Sequence, residues 1–232
     1  MTRHPKVMVA ITGGGSGTGI AALIGGTCDL AASSRKMTDK EKAQAAARGR
    51  PSREWTVALD GLAVVVNSAN PVKRMTIPQI ADLYMGKIRS WKELGGADRA
   101  VVLLSREVNS GTHVYFKEHV LGAGQEFAPE ALLMPSSQAI ADEVATNPDA
   151  IGYYGMGYLN PRNIAVAVAK TAAGPYLAPS EDPIRSGAYP IARPLFIYST
   201  EEPQGLVKTF LNFTQSPEGQ VIVRKTDFVP VQ

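Results

Sequence analysis

The length, composition and charge of the chain limit the classes of protein to which it can belong. Its 232 residues suffice for two small α/β lobes, and 44% hydrophobic with 19% charged residues is usual for a soluble globular protein. A formal net charge of +3 suits a small anion and is too weak to indicate nucleic acid. The single cysteine, Cys28, excludes an internal disulfide and a cysteine-built zinc site. No apolar run approaches the ~20 residues that cross a membrane.

The first predicted elements surround a glycine-rich loop. An apolar strand is predicted at 7–11, the loop GGGSGTG occupies 13–19, and an apolar helix covers about 18–26. Such a loop leaves backbone N–H groups free at a helix start, where the helix dipole also favours negative charge, so an oxyanion is the natural ligand. The same loop could serve only to let the helix pack closely on its sheet.

Strands and helices then alternate along the chain, which predicts an α/β fold. Thr38 with Glu41 and Thr76 with Gln79 form capping patterns at two helix starts, and 67–71 is predicted to cross between lobes. Further strands are predicted at 29–32, 57–59, 62–66, 101–104, 151–154, 164–168 and 195–198. Further helices are predicted at 38–47, from 76, at 113–120, 137–146 and 203–213, and from 216.

A second polar loop resembles the first in its position between a strand and a helix. The loop 105–112 follows the strand at 101–104, and it carries Arg106, a planar and permanently charged fork. Two helix N-termini suited to anion binding in one chain predict that one ligand is held between two lobes. Neither loop fits G-x-G-x-x-G, G-K-[ST] or G-x-S-x-G, so the dinucleotide, P-loop and nucleophile-elbow patterns are excluded.

Six blocks of the sequence resemble the phosphate-binding proteins of phosphate ABC transporters. They are GGGSGTGIAALIGGTCDLAASSRKMTDKE, LDGLAVVVN, TIPQIADLYMGKIRSWKELGG, SREVNSGTHVYF, NPDAIGYYGMGYL and YPIARPLFIYSTEEPQGLVKTFLNFTQSPEGQVIVRKTDFVPV. The resemblance implies an α/β, two-lobed class II periplasmic-binding-protein fold, with mostly parallel sheets and helices on both faces. It implies a first lobe at 1–66 and 189–232 and a second at 67–188, with the anion in the cleft between them.

The same resemblance implies which residues contact the anion. They are Ser16 and the Gly17 N–H in the first loop, and Arg106, Ser110, Gly111 and Thr112 in the second. Hydroxyl groups can donate to phosphate oxygens, and arginine can bind two oxygens at once. For Ser110 and Thr112, helix capping is the alternative role.

The chain departs from the family pattern at the proton acceptor. Some members carry an aspartate where this chain has Ser34, followed by Arg35, which resembles a branch with a second cationic contact. The alternative for Arg35 is a solvated surface pair with Lys36. Because phosphate retains a proton at neutral pH and needs an acceptor, Asp60 is the candidate for that role.

A second departure concerns the N-terminus. The family's strand, Ser/Thr-bearing loop and helix that precede Arg3 are absent from this sequence, which leads us to expect a distorted first lobe or weak phosphate binding. No signal peptide begins the chain, and the expected location in the periplasm or at the cell surface comes from the family alone.

The resemblance implies capture of inorganic phosphate and its delivery to ABC permease subunits, with no cofactor, metal, nucleic acid or membrane insertion. A phosphate-sensing or scaffold protein, or a binder of another tetrahedral oxyanion such as sulfate, is the alternative. An enzyme acting on a phosphorylated substrate is disfavoured, because no nucleophile or metal cluster stands out in the sequence.

Overall fold

The computed structural model describes residues 7–200 and 202–231. The α-helices are α1 Ser16–Gly25, α2 Asp39–Ala47, α3 Ile77–Tyr84, α4 Gly111–Phe116, α5 Ser137–Thr146, α6 Glu181–Arg185, α7 Gly205–Thr214 and α8 Pro217–Lys225. The strands are β1 Ala31–Ser33, β2 Ser52–Asn67, β3 Arg74–Thr76, β4 Val102–Arg106, β5 Leu132–Met134, β6 Ala150–Gly155, β7 Asn163–Ala165, β8 Ala167–Ala169 and β9 Ala192–Thr200. Two short 3₁₀ helices and a π-helical turn complete them: Trp91–Leu94, Met156–Tyr158 and Lys117–Leu121.

Both predicted capping boxes are confirmed. The Thr38 side chain accepts the Glu41 N–H while the Glu41 carboxylate accepts the Thr38 N–H at 2.8 Å. Thr76 and Gln79 make the same reciprocal pair at the start of α3. Each box satisfies backbone donors that have no partner within the helix, so these two starts are set by local sequence.

Strand β2 links the two lobes of the molecule. Its first part, 52–61, pairs with β9, and its second part, 62–67, pairs with β6 and β7. The sequence analysis expected two short strands on either side of Asp60, whereas the structure has one continuous strand. The change of partner falls between Gly61 and Leu62, inside the range predicted for the first lobe.

The described strands form a mixed sheet in the order β1-β9-β2-β6-β4-β5, with β7 beside β2, and a separate β3-β8 pair. The α/β, two-lobed fold class is therefore confirmed, but the expectation of mostly parallel sheets is wrong. Strands β4, β5 and β6, which are joined through α4 and α5, are parallel. Strand β2 carries the chain between the lobes instead, and both β2 and β9 run antiparallel to their neighbours in the sheet.

The predicted strand at 7–11 is wrong. Residues 7–15 have no regular secondary structure, and Met8 and Ile11 are 92% and 89% exposed. Strand β1 pairs with β9 alone among the described strands, so the 7–11 segment has no partner there. An apolar run becomes a strand only when a neighbouring strand binds its N–H and C=O groups, and residues 7–200 and 202–231 offer no such strand to this segment.

The two lobes have separate cores. Helix α1 contributes Ile20 and Leu23 to a small core that also contains Phe196 and Tyr198 of β9. The larger core of the other lobe packs β2 and β6 against α3, with Tyr84, Phe116 and Tyr153 in mutual aromatic contact. The loop before α1 and the loop before α4 are thereby each attached to a packed helix, one in each lobe.

Candidate functional site

The first loop places two hydroxyl groups side by side. Helix α1 begins at Ser16, directly after the glycines, and Gly15 is its N-cap residue. The Ser16 Oγ accepts the Ser34 N–H at 3.1 Å and lies 3.4 Å from the Ser34 Oγ. Ser34 follows β1, so the start of α1 and the end of β1 meet at this pair.

The second loop is capped by its own serine. Helix α4 begins at Gly111, and the Ser110 Oγ accepts the Thr112 N–H at 3.2 Å. Ser110 and Thr112 are both buried. Capping, the alternative role for Ser110, is therefore confirmed, and the hydroxyl proton of Ser110 is still able to donate to an anion.

The two loops touch each other across the lobes. A Cβ on Gly111 would overlap the Ser16 Oγ and would lie 2.6 Å from the Ser34 Oγ, so only glycine permits this approach. The Gly17 N–H donates to the Asn109 carbonyl oxygen at 3.2 Å. The structure thus brings Ser16, Gly17, Ser34 and Gly111 together, but the Gly17 N–H expected to bind the anion is engaged by Asn109.

Arg106 ends β4 with an unsatisfied donor. Its Nη1 donates to the Ser137 Oγ at 3.0 Å and its Nη2 to the Pro135 carbonyl at 3.3 Å. Its Nε is buried, and the described residues give it no acceptor. Burial lowers the pKa of Arg106, yet a guanidinium remains charged at any physiological pH. A buried cationic donor without a partner is a group that an anion would satisfy.

Arg35 lies beside the first loop and pairs with Glu41. Its Nη1 and Nη2 donate to the two carboxylate oxygens at 2.8 and 2.7 Å. The pairing raises the pKa of Arg35 and lowers that of Glu41. The Arg35 side chain is only 12% exposed, so the alternative of a solvated pair with Lys36 is wrong. A Cβ at Gly17 would lie 3.7 Å from the Arg35 Nη2, which places this charge next to the loop.

Asp60 does not reach the two loops directly, although the sequence analysis expected it to accept the phosphate proton. Its Oδ2 accepts from the Nε and Nη2 of Arg193 at 3.1 and 2.9 Å, and its Oδ1 accepts the Met156 N–H at 3.2 Å. Burial raises the pKa of the Asp60 carboxyl, and the Arg193 guanidinium opposes that rise. Arg193 stands between Asp60 and the second loop, because its Nη2 also donates to the Thr112 Oγ1 at 2.9 Å.

The sequence analysis missed Arg193. One signal for it was present, since Arg193 is the single charged residue of β9, and a buried charge requires a partner. The identity of that partner depends on strand register, because Asp60 and Arg193 are 133 residues apart and directly opposite in the β2–β9 pair.

Side chains that could act as a nucleophile or bind a metal ion lie away from the two loops or are buried. The Ser105 Oγ is 3.2 Å from the His113 Nδ1 and 2.7 Å from the Tyr153 hydroxyl, but Ser105 and Tyr153 have no exposed surface. Within residues 7–200 and 202–231, no cluster of three or more His, Cys, Asp or Glu could hold a metal ion. None of the helices in this part of the chain is long and apolar enough to span a membrane.

Two lobes joined by the continuous strand β2, with a helix start from each lobe meeting between them, define a two-lobed α/β binding protein. Residues 1–218 match the family model described as a PBP superfamily domain. A phosphate-binding protein PstS of Pseudomonas aeruginosa is 32% identical over 245 residues, covering 98% of this chain and 76% of the relative.

Solved structures agree with this match. A substrate-binding protein of a phosphate ABC transporter from Clostridium perfringens, solved with bound phosphate, is 33% identical with a TM-score of 0.90, covering 100% of this chain and 90% of that one. An ABC-type phosphate transport receptor from Vibrio cholerae is 30% identical with a TM-score of 0.77, covering 98% of this chain and 90% of that one. The chain belongs to the PBP superfamily, in the family of the phosphate-binding proteins PstS.

Proposed function

We propose that the protein is a solute-binding protein that captures inorganic phosphate between its lobes and delivers it to the permease of an ABC transporter. The observation that carries the proposal is the direct contact between the two helix starts, where Ser16 and Ser34 of the first lobe meet Gly111 of the second. The bound phosphate of the Clostridium perfringens relative supports the same ligand. The lobes of this proposal are 1–66 with 189–232, and 67–188.

The chemistry of the surrounding groups favours a small oxyanion. Ser16, Ser110 and Thr112 have hydroxyl protons to donate, and the buried Arg106 Nε has no acceptor among the described residues. The Arg35 guanidinium also lies beside Gly17, with its charge paired to Glu41. Capturing an anion by closing two lobes requires hydrogen-bond donors and a complementary shape, but it requires no reacting group. The proposal therefore describes a transport protein and not an enzyme.

The proposed partners and location follow from the transport role. The permease subunits of the transporter are the protein partners, and the periplasm or the cell surface is the place where such a protein would meet both phosphate and permease. The alternative of a sensor or scaffold would retain phosphate binding, so a test of transport in cells lacking their own phosphate-binding protein separates these roles.

Calorimetric titration with phosphate, with sulfate as competitor, tests the proposal. Arg106→Ala should weaken phosphate binding by about 2–5 kcal/mol, the range for truncation of one partner of a buried charged contact. Arg162 is exposed, so Arg162→Ala is the matched control for a lost positive charge and should bind like the wild type. Unchanged affinity in Arg106→Ala would remove the second loop from the site, and equal competition by sulfate would identify a general oxyanion binder.

A further inference from the structure

Arg193, on β9, is held by Asp60 of β2 and by the second anion loop. Its side chain is 4% exposed, and that of its ion-pair partner Asp60 is 1% exposed. Three of its N–H groups are oriented by this surrounding: the Nε and one Nη2 proton point to Asp60, and the other Nη2 proton points to the Thr112 Oγ1. Its guanidinium also lies over the Tyr115 ring, 5.4 Å from the ring centre.

The hydrogen bond to Thr112 restricts what that hydroxyl can do. A guanidinium only donates, whereas a threonine hydroxyl has one proton and two lone pairs. The Thr112 Oγ1 must therefore accept at 2.9 Å from Arg193, and its proton is left to point elsewhere. The Nη1 of Arg193 also lies 3.5 Å from the Gly111 carbonyl oxygen, at the outer limit of a hydrogen bond, so the same side chain contacts two consecutive residues of the loop.

We infer that Arg193 is a positioning residue of the anion site, which fixes the Thr112 side chain so that its hydroxyl donates to the bound anion, with Asp60 as the counter-ion that holds Arg193 in place. The inference rests on the proposed function for the identity of the anion. The Arg193 charge is neutralised by Asp60, so its effect on the ligand passes through Thr112.

The link between Arg193 and Thr112 can be measured without any ligand. Three-bond methyl couplings in NMR spectra report whether the Thr112 side chain occupies one rotamer. We expect one rotamer in the wild type and averaging in Arg193→Met. Because this change leaves Asp60 buried without its partner, the double variant Asp60→Asn with Arg193→Met removes both charges and keeps the test valid if the single variant unfolds. A single Thr112 rotamer in the folded double variant would overturn the inference.

Phosphate binding then tests whether the positioning matters. Arg193→Met should weaken phosphate by about tenfold or more, the size of one hydrogen bond to a charged group. In a Thr112→Val background the same change should have little further effect, because the hydroxyl that Arg193 orients is gone. An equally large effect of Arg193→Met in that background would show direct contact with the anion and overturn the positioning role.

The two experiments separate failure of this inference from failure of the proposed function. If the wild type binds no phosphate, the proposed function fails, while the rotamer measurement still decides whether Arg193 holds Thr112. Arg162→Met, at an exposed arginine, is the control for both measurements and should change neither. Wild-type phosphate affinity in the folded double variant would also overturn the inference.

Discussion

Ser34 differs from the other hydroxyl-bearing residues at the site in its hydrogen bonds. The oxygen atoms of Ser16, Ser110 and Thr112 each accept a hydrogen bond from a neighbouring N–H group, so their protons are available to an anion. The Ser34 Oγ has the Ser16 Oγ at 3.4 Å as its contact in the described structure. Ser34 is therefore the hydroxyl best placed to accept the proton that phosphate retains at neutral pH.

This difference predicts an effect on anion selectivity. Ser34→Ala should weaken phosphate by about 1–3 kcal/mol, the cost of an unsatisfied buried donor, and should affect sulfate less because sulfate has no proton to donate. Calorimetric titration of both anions measures the difference. Equal losses for the two anions would show that Ser34 does not accept the phosphate proton.

Asp60→Asn is the complementary test of the role first expected for Asp60. Both of its carboxylate oxygens are already bound, to Arg193 and to the Met156 N–H, so we expect phosphate and sulfate to weaken by similar factors. A loss confined to phosphate, measured in the same titrations, would restore Asp60 as the proton acceptor.

His113 predicts a pH dependence of stability. Burial against Phe127 lowers the pKa of His113 below its ordinary value of about 6.5. The unfolded chain therefore binds more protons than the folded protein just below that pH, and the free energy of unfolding should fall as the pH drops from about 6.5. Urea denaturation at pH 7.5 and 5.5 should show a smaller drop for His113→Gln than for the wild type.

At the scale of elements, Glu41 joins the start of α2 to Arg35. Its carboxylate accepts the Thr38 N–H and both Arg35 donors. Glu41→Ala should cost about 1–2 kcal/mol in the free energy of unfolding, since it removes the capping box as well as the ion pair. Glu41→Gln keeps an oxygen for the Thr38 N–H and should cost less in the same urea denaturation experiment. Equal losses would assign the whole effect to the ion pair.

The elements also show what could be predicted from sequence and what could not. The capping boxes at Thr38 and Thr76 are local patterns, and both were predicted correctly. The apolar residues Leu206, Val207, Phe210 and Leu211 recur at helical spacing in α7, but Leu206 and Phe210 are 56% and 44% exposed, while Leu211 is fully buried. Periodicity identifies the apolar face of a helix, but burial of that face, like strand formation at 7–11, depends on what packs against it.

At the scale of the whole molecule, the unpredicted features all depend on contacts between distant segments. The Asp60–Arg193 pair follows from the antiparallel register of β2 and β9, and the sequence contains no local signal for that register. The mixed direction of the sheet has the same origin, because β2 and β9 pair antiparallel with strands far from them in sequence, whereas β4, β5 and β6 are parallel. The loops around Ser16 and Gly111 were predicted as a pair from their polar turns and the helices that follow them, although the strand expected before the first loop does not form.

The hydrogen bond between the Gly17 N–H and the Asn109 carbonyl has a kinetic consequence. While the two loops touch, this N–H is not available to an incoming anion, so association must follow a separation of the loops. In stopped-flow measurements the observed rate should then level off at high phosphate concentration, at the rate of opening. Asn109→Gly keeps the carbonyl but loosens the loop backbone, and it should raise that plateau. A rate that increases linearly with phosphate at all concentrations would mean that the contact opens faster than phosphate arrives.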